Sequence, residues 1–515
     1  MATPYKFEWY EATKTEIKAL QDNDVFENVK ISDLPPGTTI LHGKFVYKVK
    51  PKEDGTISVF KARLVVCGNY AKPGVHYKET WSPVASSTTI RLVLAIAATL
   101  GLRLRDIDFK SAYLNARRKE NDKPVYMHPP KGAAEILGIP DNYVWLIKRA
   151  LYGMPDSARL WNNELLTTLK NLGFRQSGFD PCLIYKISKK EFTIATLVVD
   201  DMLIASKCKQ HADDLINGLR KKYKLKDMGD ARYTLGIHID HKPNSNSLSL
   251  SQKLYIRTMV KRYNMQRANT AKMPADKGSK LRKDMPGDEC QKDYRALIGS
   301  LLYAVQTRPD IATIISDLSR YLDCAKTTHW KAALRVLRYL NATANFSLKY
   351  NPVIERGGEL TVYVDAAHNY DVDTRRSRTG YIIFFNACPI LWRSTLQPII
   401  TLSSTEAEYV ALCTAAKEAL WLKRMLSQIG FRQQQPVKIY IDNRAAIAIA
   451  ENDKVTMRTR HIDLRFHWVR EQIKNGEIVL LHVPGENNPA DVLTKIVSWQ
   501  RQANLLRQMM HFDYE

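Results

Sequence analysis

Leu197-Val198-Val199-Asp200-Asp201-Met202-Leu203-Ile204-Ala205 sets two adjacent carboxylates between two apolar runs. Such a pattern reads as two strands joined by a tight turn, with Asp200 and Asp201 at the tip. Asp is an ordinary turn residue, so an acidic tip alone is usually just a solvated turn. Asp213-Asp214, inside the polar, helix-like stretch from Gln210 to Tyr223, is the internal control and reads as a wet helix face.

A further acid upstream raises the hairpin above that background. Leu102, Leu104 and Asp106 alternate with Arg103 and Arg105, Ile107-Asp108-Phe109 follows, and the period then changes from strand to helix over Lys110-Ser111-Ala112-Tyr113-Leu114. Asp108 therefore falls at a strand end. Folding that end against the hairpin tip brings three carboxylates together, and like charges so close are tolerable only beside a cation. Oxygen ligands of this kind favour Mg²⁺. Two such ions about 3.5–4 Å apart can activate an attacking oxygen and stabilise a leaving one, which is phosphoryl-transfer chemistry.

Charge agrees with a polyanionic partner. Lys and Arg number 77 against 53 Asp and Glu, a net +24 spread along the whole length. Such a surface gathers phosphates by counterion release, although charge alone does not separate an enzyme from a passive binder. The 515 residues, 45% of them hydrophobic, are enough for two to four domains. The longest aliphatic stretch, Leu92 to Leu102, is too short to span a bilayer, and the start lacks the apolar core of a secretory signal. Seven cysteines, odd in number and without Cys-x-x-Cys spacing, predict free thiols in a reducing compartment.

From Leu360 the pattern restarts as a fresh α/β unit. Leu360, Val362 and Val364 alternate along a strand ending in Asp365, and Val437, Ile439 and Ile441 do the same before Asp442. Thr405 and Glu408 are spaced as a capping box opening a long helix, which places Glu408 in its first turn. Tyr409, Leu412, Ala416, Ala419, Leu422 and Leu426 form that helix's apolar face. Asn488-Pro489-Ala490-Asp491 reads as N-cap to N3 of a last helix. The macrodipole explains any one acid at a helix start. Four on one unit point to a second centre.

Ordered motifs run along nearly the whole chain: Phe60-Lys61-Ala62-Arg63-Leu64-Val65, Tyr77-Lys78-Glu79-Thr80-Trp81-Ser82-Pro83-Val84, Asp108-Phe109-Lys110-Ser111-Ala112-Tyr113-Leu114, Leu151-Tyr152-Gly153, Val199-Asp200-Asp201, Leu235-Gly236-Ile237, Thr307-Arg308-Pro309-Asp310-Ile311-Ala312 and Leu402-Ser403-Ser404-Thr405-Glu406-Ala407-Glu408-Tyr409. In these the chain resembles the reverse transcriptase and ribonuclease H portion of a Copia-type long-terminal-repeat retrotransposon polyprotein. The resemblance implies an α+β right-hand polymerase followed by an α/β ribonuclease H-like domain. Its segments would be fingers at 1–100, palm at 101–240, a helical thumb or tether at 241–350, ribonuclease H at 359–495 and a tail at 496–515.

Carried over by motif, Asp108, Asp200 and Asp201 become the polymerase carboxylates, with Asp108 and Asp200 holding metal and Asp201 in support. Tyr113 becomes the ring under the incoming sugar, which rejects a 2′-hydroxyl by clash. Lys61 and Arg63, after a turn at Asp54-Gly55, become the triphosphate grip, and Gly153 lies beside the nucleotide. Asp365, Glu408, Asp442 and Asp491 become the ribonuclease H tetrad, Glu408 being chosen over Glu406 because Glu408-Tyr409-Val410-Ala411 fits the family's Glu-x-x-Ala. His461 and His482 are candidates for assisting product release, with a structural imidazole as the blander reading. Each centre would take two Mg²⁺, with Mn²⁺ as substitute. The implied partners are an RNA template, a DNA primer, an RNA/DNA hybrid and deoxynucleoside triphosphates, without a membrane and with an open oligomeric state. The implied location is intracellular and cytoplasmic, with virus-like particles or the nucleus as further sites.

Val336-Leu337 and Tyr339-Leu340, with Arg335 and Arg338 opposite, predict an amphipathic helix able to lay cations on a duplex, or else a salt-laced surface helix. Two departures stand out. Met154-Pro155-Asp156-Ser157-Ala158-Arg159 replaces the family's usual Leu-Lys-Gln-Ala-Pro-Arg after Gly153, and Cys67 takes a position that is usually basic. Their alternative reading is a catalytically silent, retrotransposon-derived nucleic-acid-binding remnant.

Overall fold

Strict alternation builds the first sheet. Along Ile57–Val66 the side chains of Ala62, Leu64 and Val66 are buried while Lys61, Arg63 and Val65 share the opposite, half-buried face. The computed structural model describes residues 4–51, 57–119, 122–189, 191–242, 246–353, 358–451 and 463–512, so the expected Asp54-Gly55 turn and His461 lie outside the described residues. Five strands pair in the order Phe26–Lys30, Tyr143–Ile147, Tyr126–His128, Ile40–Pro51, Ile57–Val66. Two of them come from the segment expected as palm. Val125, Met127, Trp145 and Ile147 complete one apolar core with Leu41, Leu64 and Val66, so burial draws the chain back here after it has visited the second sheet.

The second sheet runs Leu225–Asp230, Arg103–Phe109, Asp201–Ser206, Phe192–Val198, Leu183–Ile187, Arg175–Gln176. The expected hairpin is its centre. The aliphatic stretch near residue 92 is the helix Ser87–Leu100, capped by Ser86 accepting from Thr89 N and ended by Gly101 at φ +60. Every residue from Thr89 to Ala98 is buried, because the helix is sandwiched between this sheet and the C-terminal unit. Its one cation, Arg91, donates to the carbonyls of Ile390 (2.8 Å) and Gln306 (3.0 Å) and lies over the Trp392 ring. The helix Lys209–Arg220 corrects one expectation. Asp214 accepts from Gln210 nearby, but Asp213 pairs with Arg105 at 2.7 Å and so helps fix the Asp108 strand.

Residues 241–350 are not all helix. Ser247–Ser251 and Ser347–Tyr350 join a sheet with Tyr233–Thr234, Ile237–Lys242 and Met510–His511, and four helices pack beside it: Lys253–Arg262, Gln291–Ala304, Ala312–Leu318 and Thr327–Ala342. The expected tail is structural as well, since Leu505, Leu506, Met509 and Met510 are buried. In Thr327–Ala342 the apolar face is buried as expected, but its cations are engaged. Arg335 pairs with Asp276 and Arg338 donates to the Asn269 carbonyl, holding a neighbouring loop instead of a bare basic face.

The Thr307-Arg308-Pro309-Asp310 motif is a buried lock. Arg308 and Asp310 are fully buried and form a forked ion pair; Arg308 also donates to the Thr343 carbonyl, and Tyr339 donates its hydroxyl to Asp310 at 2.7 Å. Asp310→Ala leaves a buried guanidinium without its counter-charge, at a cost of about 3–5 kcal/mol. A fall in the urea midpoint of this unit measures it.

The last sheet runs Cys388–Leu396, Arg378–Phe385, Leu360–Ala367, Val437–Ile441, Ile478–His482, with Leu360–Ala367, Val437–Ile441 and Ile478–His482 mutually parallel. Helix Ser404–Gln428 lays Tyr409, Leu412, Ala416, Ala419, Leu422 and Leu426, all buried, on it. All seven cysteines are free, and among the described residues no helix is long and apolar enough to cross a membrane.

Candidate active sites

Pairing register assembles the first centre. Asp201, the first residue of its strand, sits directly opposite Asp108, and Asp200 occupies the turn beside Val199, whose φ is +52. Two anchors hold that tip: Phe109 N donates to the Asp200 carbonyl (2.7 Å) and Trp161 Nε1 to that of Val199 (2.6 Å). Burial, with Asp200 and Asp108 adding repulsion, pushes Asp201 up to about 6. Asp106 is a fourth member the motif reading missed. It is pushed up to about 7, first by burial and then by Asp201 and Asp108. Its signal was the two-residue period, which puts it on the face of Asp108.

The residues expected at the nucleotide meet as two tilted rings and a guanidinium. Tyr113 belongs to the four-residue 3₁₀ turn Ala112–Asn115, shorter than the expected helix, because Ser111 leaves the strand in the left-handed region at φ +51. Its ring centroid is 5.0 Å from that of Tyr152, and the Arg63 guanidinium lies 4.6 Å above Tyr152. Burial and then the Asp200 charge raise the Tyr113 phenol, so this ring borders the acidic tip. Lys61 is on the face of Arg63. Gly153, at φ +90, is a point of close approach: a Cβ there would lie 2.1 Å from the Val66 carbonyl oxygen. Its immediate role is to let the Tyr152 carbonyl accept from Val66 N, tying the turn at Tyr152-Gly153 to the end of the strand Ile57–Val66.

The C-terminal acids converge more tightly. Asp365, Glu408 and Asp442 each offer an oxygen, all within 4.8 Å of one another, and among the described residues they are the one such group. Val364 pairs with Ile441 across parallel strands, so the next residues, Asp365 and Asp442, emerge side by side. Two details differ from expectation. The first strand runs on to Ala367, and the helix cap is Ser403, which accepts from Glu406 N while Glu406 reaches back to Leu402 N. Glu406 is therefore occupied with the cap, and Glu408 sits two residues further in, beside the end of the strand that carries Asp365. Burial and then Asp365 and Asp442 raise Glu408 well above the carboxylate range, and its Oε2 is buried without a hydrogen-bond partner. Such a trio fits a divalent cation.

Asp491 lies beside the trio. Asn488 does cap its turn, accepting from Ala490 N, but Pro489–Leu493 is a 3₁₀ turn and the helix Trp499–Leu506 comes after it. Asn488 also donates to the Val364 carbonyl (2.8 Å), pinning the turn to the Asp365 strand. Lys495 pairs with Asp491 and reaches Asp365 Oδ2 at 3.9 Å, Arg501 pairs with Asp491 Oδ2 at 2.7 Å, and Thr494 donates its hydroxyl to Asp365. His482 is exposed at a strand end, where its charge acts on Asp442.

Burial dominates in pushing Asp365 up to about 6, against the pull of Lys495 and Thr494. A carboxyl raised on folding contributes stability below its ordinary value, and that contribution is lost as pH rises through about 6. In EDTA at pH 7, Asp365→Asn should stabilise the protein by on the order of 2 kcal/mol, a gain that vanishes near about pH 4. Thermal melts at the two pH values read this out.

A family model described as reverse transcriptase (RNA-dependent DNA polymerase) matches residues 23–277. The Pol polyprotein of transposon TNT 1-94 from Nicotiana tabacum is 36% identical over 509 residues, 96% of this chain and 37% of that one. A putative transposon Ty5-1 protein of Saccharomyces cerevisiae is 31% identical over 315 residues, 61% of this chain and 100% of its own length. The chain belongs to the Copia-type retrotransposon Pol family. It spans about a third of the length of the longer curated Pol relatives it matches, 37% and 34% for the first two. Among solved structures, a foamy viral protease-reverse transcriptase in complex with double-stranded DNA aligns over 92% of this chain and 69% of that one, with 11% identity and a TM-score of 0.48.

In this Pol chain the altered segment after Gly153 is integrated locally. Pro155 precedes the helix Ser157–Asn171 rather than interrupting it, Ser157 Oγ donates to the Leu151 carbonyl (2.6 Å), Asp156 pairs with Arg118 at 3.0 Å, and Arg159 pairs with Glu79.

Proposed function

We propose that the chain is an RNA-directed DNA polymerase with ribonuclease H activity, working in the cytoplasm of its host, a compartment its free thiols suit. The observation that supports this most directly is the strand register that sets Asp201 against Asp108 with Asp200 at the anchored tip. Asp108 and Asp200, supported by Asp201, would hold Mg²⁺ or Mn²⁺, as would Asp365, Glu408, Asp442 and Asp491 in the second centre; when bound, such cations would activate an oxygen nucleophile and neutralise charge on phosphate.

The chain's own residues do the positioning. Arg63 and Lys61 bind the triphosphate of a deoxynucleotide, with the Arg63 guanidinium placed over the Tyr152 ring. Tyr113 closes the space a 2′-hydroxyl would need. The anchored hairpin keeps the acids where the primer 3′-hydroxyl meets the α-phosphate, with pyrophosphate leaving. Base pairing to the RNA template carries the sequence information, so the protein needs only backbone contacts. In the second unit the buried acids face the RNA strand of the hybrid, recognised by its shape and 2′-hydroxyls. Purified protein should extend an oligo(dT) primer on poly(rA) in Mg²⁺ and degrade the RNA of a hybrid. Tight hybrid binding with no extension would instead establish a silent remnant.

A further inference from the structure

Both carboxylate oxygens of Asp491 are engaged by cations of the chain itself. Lys495 Nζ takes Oδ1 and Arg501 Nη2 takes Oδ2 at 2.7 Å, while Lys495 also lies 3.9 Å from Asp365 Oδ2. Asp491 is thus set apart from Asp365, Glu408 and Asp442, whose oxygens already converge within 4.8 Å. The side-chain exposures say which partner can move. That of Asp491 is 1% exposed and its turn is pinned by Asn488, whereas those of Lys495 and Arg501 are 49% and 44% exposed. A long cationic stem with its head near water can swing outward, while a buried aspartate on a tied 3₁₀ turn cannot. Gly485 lies against the same cluster: its carbonyl accepts from Arg501, and a Cβ there would come within 3.0 Å of Asp442 Oδ2.

We propose that Lys495 and Arg501 are positioning residues that gate the second cation position of this centre, so that divalent ions load in order. The first goes to Asp365, Glu408 and Asp442; the second requires Lys495 to release Asp491. The inference rests on the ribonuclease H reading of these acids and adds a sequence of loading to it. An ammonium bridging Asp491 and Asp365 opposes a second dication in two ways, by holding a ligand and by direct repulsion at a few ångströms. The same bridge holds four acids together, three of them buried and Asp442 half-buried, which like-charge repulsion would otherwise resist.

Mn²⁺ titration followed by electron paramagnetic resonance tests this on the full chain carrying Asp108→Asn and Asp200→Asn, so that only the C-terminal centre contributes. One ion should bind tightly and a second at least about tenfold more weakly. Lys495→Gln should tighten the second ion at least about tenfold and shift the first much less, Arg501→Gln should act in the same direction, and Lys495→Arg should keep the second ion weak. Thermal melts report folding, and if Lys495→Gln fails to fold then Arg501→Gln carries the test. Equal affinities for both ions in the parent, or a second ion unchanged or weakened in the two Gln variants, overturns the gate. Failure of the underlying reading looks different: no tight Mn²⁺ at all, or a tight ion indifferent to Asp442→Asn.

Discussion

Asp200→Asn should reduce primer extension on poly(rA) by at least about a thousandfold while leaving hybrid cleavage within about twofold of the parent. Asn is nearly isosteric and tolerates the same turn, and the anchors at this tip use backbone carbonyls, those of Asp200 and Val199. The fold of the hairpin should therefore survive, and only one negative charge is lost from the place where Asp108 and Asp201 are brought together by register. Asp106 and Asp201 offer a second reading of the same variant. Both are held above the ordinary carboxylate range in part by neighbouring acids, Asp201 by Asp200 itself, so removing Asp200 should ease the ionisation of Asp201 without restoring activity. A gel-based extension assay beside a fluorescent hybrid-cleavage assay decides it. Extension that persists at more than a tenth of the parent rate would move the chemistry away from this hairpin, using about a tenfold criterion.

How much of this was legible in the sequence follows from how local each signal is. The hairpin at Asp200-Asp201 and the strands before Asp365 and Asp442 were visible because strand period is set by neighbouring residues, and burial on one face enforces it. The apolar face from Tyr409 to Leu426 was visible for the same reason. The helix start at Ser403 was misplaced by two residues because Ser403-Ser404-Thr405 offers three capping hydroxyls, and only the tertiary position of Leu402 and Glu406 selects among them. For Arg335 and Arg338 a nucleic-acid face and a salt-laced surface both stayed open, because their partners, Asp276 and the Asn269 carbonyl, lie more than fifty residues away. Tyr152 lies inside the Leu151-Tyr152-Gly153 motif and Asp106 two residues before Asp108, yet their roles depend on contacts with Arg63, Tyr113 and Asp201 that no local pattern contains. Lys495 was legible only in hindsight, as the residue one helical turn beyond Asp491.

Asp442→Asn should do the reverse of the hairpin variant, cutting hybrid cleavage by at least about a hundredfold and sparing primer extension. Its diagnostic feature is that stability and activity should move in opposite directions. Asp442 is raised by burial, against the pull of Lys495, and further by Asp491, and its charge with that of Asp365 in turn raises Glu408, so the converging acids Asp365, Glu408 and Asp442 repel one another in the folded protein without divalent cations. Neutralising one relieves that repulsion, and the variant should melt no lower than the parent in EDTA. In Mg²⁺ the order should invert: a ligand that binds only the folded state raises the parent's melting temperature, and loss of one of three converging oxygens removes most of that gain. Misfolding cannot mimic this pattern, because it would lower both melting curves together and extension with them. A variant that keeps its Mg²⁺-dependent stabilisation and still cleaves the hybrid would show that Asp365, Glu408 and Asp442 converge for some purpose other than holding a catalytic cation.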